Sequence, residues 1–102
     1  MLEFLNLKIF SPHQVIIDEQ IKKVSFEDNF GTLTMLPRHQ DYTGSFKGHL
    51  LSYVDMNKKQ HFVVVSDGVL VKSGRDVKFS VYSAIVGRSL EELREKVGGF
   101  KG

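Results

Sequence analysis

Alternation of apolar and polar side chains, in short segments separated by turn residues, is the feature that most limits what this chain can fold into. Leu5, Leu7 and Ile9 alternate with Asn6 and Lys8, and Val77, Phe79 and Val81 alternate with Lys78, Ser80 and Tyr82. Successive side chains of a strand point to opposite faces, so this period of two predicts strands with one buried face. Between them, Gln14 to Ile17, Ile21 to Phe26, Thr32 to Leu36, Leu50 to Val54, Gln60 to Ser66 and Val69 to Ser73 are rich in Val, Ile, Phe, Tyr or Thr, which suit a half-buried pleated surface. Asp67-Gly68 stands between two apolar runs as the two-residue linker of a type I′ turn, whose central positions both need φ > 0, and a β-hairpin is predicted there. The expected fold is mainly β, an antiparallel two-sheet β-sandwich of about eight to ten short strands, from the regular spacing of strands and turn signals.

The pattern changes once, near the C-terminus. Ser89-Leu90-Glu91-Glu92 reads as a capping box, with the Ser89 hydroxyl placed to accept the Glu92 N–H and the Glu92 carboxylate to accept that of Ser89. Leu90, Leu93 and Val97 then share one helical face, Arg94 and Lys96 suit the negative end of the helix dipole, and Gly98-Gly99 closes the element. The chain so divides into a sandwich over residues 1–86 and a short C-terminal helix and tail over 87–102. A helix this short is marginal alone in water, so it is expected to dock on the sandwich or on a partner.

Composition supports one folded domain. The 102 residues are 41% hydrophobic, enough to build a core without metal or disulfide, and the length fits a single domain. Fourteen basic against twelve acidic residues leave a net charge of +2, too small a surplus for a protein that lives on phosphate contacts, so nucleic acid is excluded as the main partner. The absence of cysteine excludes disulfides, thiolate metal sites and cysteine nucleophiles, and fits a reducing compartment. The opening residues Met1 to Lys8 include Glu3 and no long apolar run, so neither a signal peptide nor a membrane span is expected, and any membrane role is indirect.

Signals for chemistry are sparse. His13, His39, His49 and His61 are not paired at metal-binding spacing, so no metal site is predicted. Ser66-Asp67-Gly68 lacks the flanking glycines of a nucleophile elbow, and no glycine loop of the phosphate-cradling type is present. No cofactor is expected. The acids fall mostly at apparent turns, where Asp accepts local backbone hydrogen bonds. One segment stands out, Asn29 to His39, where a strand ends at Pro37 and is followed at once by Arg38 and His39. It reads either as a plain turn in which His39 bonds a nearby carbonyl, or as an exposed corner carrying two donor-rich side chains for recognition.

Three blocks carry a family resemblance: Gly31 to His39 with its Leu36-Pro37-Arg38-His39 ending, Phe62-Val63-Val64-Val65-Ser66-Asp67-Gly68-Val69-Leu70, and Ala84-Ile85-Val86-Gly87-Arg88-Ser89-Leu90. In order and spacing they resemble the epsilon subunit of F-type ATP synthase, from about Leu7 to about Lys96. The wording Leu36-Pro37-Arg38-His39-x-Asp41-Tyr42, with Asp67 to Lys72 and Gly74-Arg75, is similar to the alternate branch of F-type ATPases, so the transported ion implied is a proton or sodium. The resemblance implies a non-catalytic part of the central-stalk rotor, clasping the gamma subunit and resting on the membrane-embedded c-ring. It further implies a monomer as an isolated domain, without direct membrane insertion, peripheral on the cytoplasmic face of a bacterial inner membrane. Carried over by position, the loop of Phe30, Gly31 and Thr32 faces the c-ring, Thr32 standing where an acid is common in the family, and Ser11 and His39 lie towards gamma. Glu91 and Arg94 are similar to part of the family's ATP-binding motif, a vestige here because only the start of the C-terminal helical hairpin follows the sandwich. The alternative class is a small β-sandwich or cupin-like ligand-binding module without catalysis of its own. Against it stands the missing His-x-His with a downstream Glu and His, which such barrels show.

Overall fold

The computed structural model describes residues 3–28 and 30–87. Among them nine strands run in chain order: β1 (Leu5–Phe10), β2 (Val15–Asp28), β3 (Gly31–Met35), β4 (Tyr42–Phe46), β5 (His49–Asp55), β6 (Gln60–Val65), β7 (Gly68–Ser73), β8 (Asp76–Val81) and β9 (Ala84–Gly87). Their hydrogen-bonded order is β4-β7-β8-β1-β2-β5-β6-β9, with β3 on the far half of β2. Two layers follow from how β2 changes neighbours. Its first half pairs with β1 as far as Ile21, and from Ile21 onward it pairs with β5, the register slipping between Ile21 and Lys23. Such a slip bends a strand and strengthens its twist, so one long strand serves both layers and its far end returns to β4, where the Lys47 N–H donates to the Glu27 carbonyl at 3.1 Å.

The core is where the alternation points inward. Leu5, Leu7 and Ile9 on β1 and Val77, Phe79 and Val81 on β8 are buried, alternating with more exposed polar neighbours. Phe26 of β2, Phe46 of β4 and Phe79 of β8 meet edge to face at centroid distances of 6.1, 5.2 and 5.1 Å, the arrangement that ring quadrupoles prefer. These rings lock the two layers together. Lys72 is also buried, its ammonium donating to the Gly74 carbonyl at 2.7 Å.

The expected hairpin at Asp67-Gly68 is not formed. β6 pairs with β5 and β9, while β7 pairs with β4 and β8, so these two residues carry the chain from one layer to the other. Gly68 does not have the positive φ of a type I′ turn, which occurs only at Gly31, Gly74 and Lys58 among the described residues. Glycine is needed there because a Cβ would overlap the Ser80 carbonyl oxygen. The Asp67 carboxylate accepts the Gly48 N–H. The two-residue hairpin lies further on, where Ser73 pairs with Asp76 and Gly74 has φ +61°, as a type II′ turn requires at its first central position.

Other expectations are corrected by the same geometry. The pairings are antiparallel except one, β1 with β8, which is parallel. The two segments read as Gln14 to Ile17 and Ile21 to Phe26 are one strand, and β4 and β9 carried no readable pattern. Burial alternates along Tyr42-Thr43-Gly44-Ser45-Phe46, but Gly44 on the inward side carries no apolar side chain, so the sequence shows no apolar–polar alternation to detect. The C-terminal helix predicted from Ser89, with Glu91 and Arg94, lies outside the described residues.

The β5–β6 hairpin stores backbone strain. Asp55 and Lys59 bond across a three-residue loop in which Lys58 has φ +67°. A left-handed backbone costs an L side chain about 1–2 kcal/mol, partly offset in a glycine variant by that residue's extra freedom in the unfolded chain. Lys58→Gly is therefore expected to stabilise the fold by about 0.5–1 kcal/mol, read from the urea midpoint.

Candidate functional site

The tip of the β2–β3 hairpin presents an aromatic ring with nothing against it. Phe30 is 97% exposed, although its backbone is held firmly: its N–H donates to Asp28 Oδ1 at 2.7 Å, and Asp28 pairs with Gly31, which has φ +135°. Thr32, exposed, pairs with Glu27 one step in from the tip. Phe30, Gly31 and Thr32 are thus brought together at the tip of one hairpin, whose aromatic end lies outside this core.

Ser11 and His39 are not neighbours. Ser11 follows β1 and shapes the turn into β2: its hydroxyl accepts the N–H groups of His13 and Gln14, each at 3.3 Å, while its own N–H donates to the Gln14 carbonyl at 2.9 Å. His39 sits in a turn after β3, its N–H donating to Leu36 O at 2.9 Å and its Nδ1 lying 2.7 Å from the Gln40 carbonyl. The plain-turn reading of His39 describes this geometry. Adjacent Arg38 reaches Glu3 at 2.6 Å, just ahead of β1, so the two predicted residues stand at opposite ends of a six-residue strand, about 20 Å at 3.3 Å per residue.

A polar cluster on the β5–β6 hairpin escaped the sequence reading, which weighed His61 only as a metal candidate. His61 Nε2 lies 2.7 Å from Asp55 Oδ2, and the His61 ring stacks on Tyr53 at 4.9 Å and 15°. Asp55 also accepts the N–H groups of Asn57 at 2.8 Å and Lys59 at 3.0 Å. The His61 hydrogen bond and then the Lys59 N–H hold the Asp55 carboxyl below its ordinary range, whereas burial and then the Glu19 carboxylate push the Tyr53 phenol up. The only available signal was the spacing of Asp55 and His61 across a turn.

Because Asp55 has a depressed pKa in the fold, its ionised form stabilises the protein above the ordinary carboxylate range near 3.9, and this contribution is lost as pH falls through the lower folded value. Asp55→Asn is expected to be less stable than the parent at pH 7, with the gap closing at the acid end. Urea unfolding at both ends of that range measures it; a constant gap would show that the carboxylate charge contributes nothing.

Residues 4–87 match the family described as the beta-sandwich domain of the ATP synthase Delta/Epsilon chain. The chain is similar to an ATP synthase epsilon chain of Clostridium botulinum (strain Hall), 33% identical over 70 residues, covering 69% of this chain and 53% of that one. It thus spans about half the length of that relative. Another epsilon chain, from Rickettsia bellii, is 29% identical over 87 residues, covering 83% of this chain and 81% of that one. In fold it resembles a chain of the Euglena gracilis mitochondrial ATP synthase OSCP/F1/c-ring structure, with a TM-score of 0.78 at 16% identity, covering 97% of this chain and 64% of that one. A chain of the Tetrahymena thermophila mitochondrial ATP synthase central stalk/c-ring structure has a TM-score of 0.64 at 8% identity, covering 79% of this chain and 65% of that one.

Proposed function

The chain belongs to the family of ATP synthase delta/epsilon chain β-sandwich domains, and from that premise we propose that it is the epsilon subunit of the F1 sector of a rotary F-type ATP synthase. It is a non-catalytic part of the central stalk, joining the gamma subunit to the c-ring and so serving ATP synthesis coupled to proton or sodium transport. The observation that carries this reading is the family match over residues 4–87, which takes in all nine described strands. A rotor part must transmit torque without bending, and two layers locked by the Phe26, Phe46 and Phe79 rings supply the stiffness of a close-packed interior. Among the described residues no helix is long and apolar enough to cross a membrane; the assignment places the domain peripherally, on the cytoplasmic face of a bacterial inner membrane, as part of the complex.

In this reading the Phe30 hairpin rests on the c-ring, and the His39 and Ser11 regions lie towards gamma. Cross-linking from Phe30→Cys and His39→Cys in the assembled complex tests both placements. Adducts of the first with the c subunit and of the second with gamma support them; adducts of both with catalytic subunits alone would overturn them. His39 is the better gamma probe, because Ser11→Cys would remove the hydroxyl that shapes its turn.

A further inference from the structure

Two cations stand side by side on the outer face of the first layer. Lys8 of β1 and Lys78 of β8 are partners in the parallel pair. Their flanking residues Leu7, Ile9, Val77 and Phe79 are fully buried, so both lysines leave by the opposite face. Like charges directly opposite one another destabilise a sheet. Asp18 is the partner of Lys8 on its other side, yet neither ammonium is ion-paired: among the described residues the ion pairs are Arg38–Glu3, His61–Asp55 and Lys72–Asp41.

Both lysines line one cleft of about 340 Å³, together with Phe10, His13 and Val15. Phe10 is half-buried and Val15 is 52% exposed, giving the cleft an apolar floor beside its cationic wall. We infer that this cleft docks an acidic side chain, an Asp or Glu presented by the protein partner, its carboxylate between Lys8 and Lys78 and its methylene stem on Phe10 and Val15. That the partner is gamma rests on the function proposed above. A carboxylate seated there removes a repulsion that the free chain retains, and charge-assisted hydrogen bonds are the stronger kind. The signature is therefore opposed: variants that relieve the repulsion stabilise the free chain and weaken the complex.

Lys78→Glu and Lys78→Gln in the 102-residue chain, measured alone and against co-expressed gamma, test it, with Lys58→Glu on the β5–β6 hairpin, outside the cleft, as the charge control. Lys78→Glu is expected to raise the melting temperature of the free chain by about 2–4 °C and to weaken gamma binding at least tenfold at low salt, with a shallower salt dependence; the control should bind within about twofold. Recovery of gamma by the parent chain is the first readout, and its failure would overturn the rotor reading along with the partner named here. With gamma recovered, unchanged affinity of both Lys78 variants would overturn the docking site alone. Titration with inorganic phosphate supplies the other arm: submillimolar binding that shifts Lys8 and Lys78 resonances would mark a site for a free anion and overturn the acidic side chain.

Discussion

Phe79→Ala is expected to remove about 3–5 kcal/mol of stability, the range for deleting a buried phenylalanine. Its side chain is wholly buried and meets Phe26 at 5.2 Å and Phe46 at 5.1 Å. One truncation therefore opens a cavity and breaks the edge-to-face contacts joining β8 to β2 and β4. Domains of this size are stable by only about 5–15 kcal/mol, so the variant should unfold at a much lower urea midpoint or fail to accumulate. Ser80→Ala, one residue on and exposed, should change stability by no more than about 0.5 kcal/mol. A loss under about 1 kcal/mol for Phe79→Ala would mean that the faces of β8 are reversed, since a slip of one residue exchanges them.

Gly68→Ala is expected to be comparably severe, about 3 kcal/mol or more, at the top of the range for overpacking. The added Cβ would overlap the Ser80 carbonyl oxygen and stand 3.1 Å from Phe46 Cε1. That carbonyl cannot move away, because β8 is held between β7 and β1. Gly68→Asn separates this explanation from a turn requirement. Asn adopts left-handed backbone at little cost, so a turn would tolerate it, whereas a close approach of two backbones rejects any Cβ. Urea unfolding of both variants decides between them; a mild Asn variant beside a severe Ala variant would restore the turn.

These two positions mark what could and could not be read from the chain. Phe79 was legible because a period of two is a local property, needing only its immediate neighbours. Gly68 was misread because Asp67-Gly68 between apolar runs has the local chemistry of a hairpin, while its actual constraint comes from Ser80, twelve positions on. The parallel pairing of β1 with β8 is likewise invisible locally, since it depends on which strands the layers bring together. Strand β4 was missed because Gly44 and its hydroxyl-bearing neighbours lack apolar–polar alternation. Of the candidate site, the Phe30 loop was placed by resemblance and emerges as an exposed hairpin tip. The Lys8–Lys78 cleft required the register, for the two residues are far apart in the chain.

The most direct test of the rotor assignment is native mass spectrometry of the chain purified after co-expression with the products of its neighbouring genes. One copy of this chain bound to one gamma subunit, and carried into the larger assembly with the c-ring, is the expected result. A chain that stays alone while the remaining subunits assemble, or that instead retains a small-molecule ligand, would contradict it.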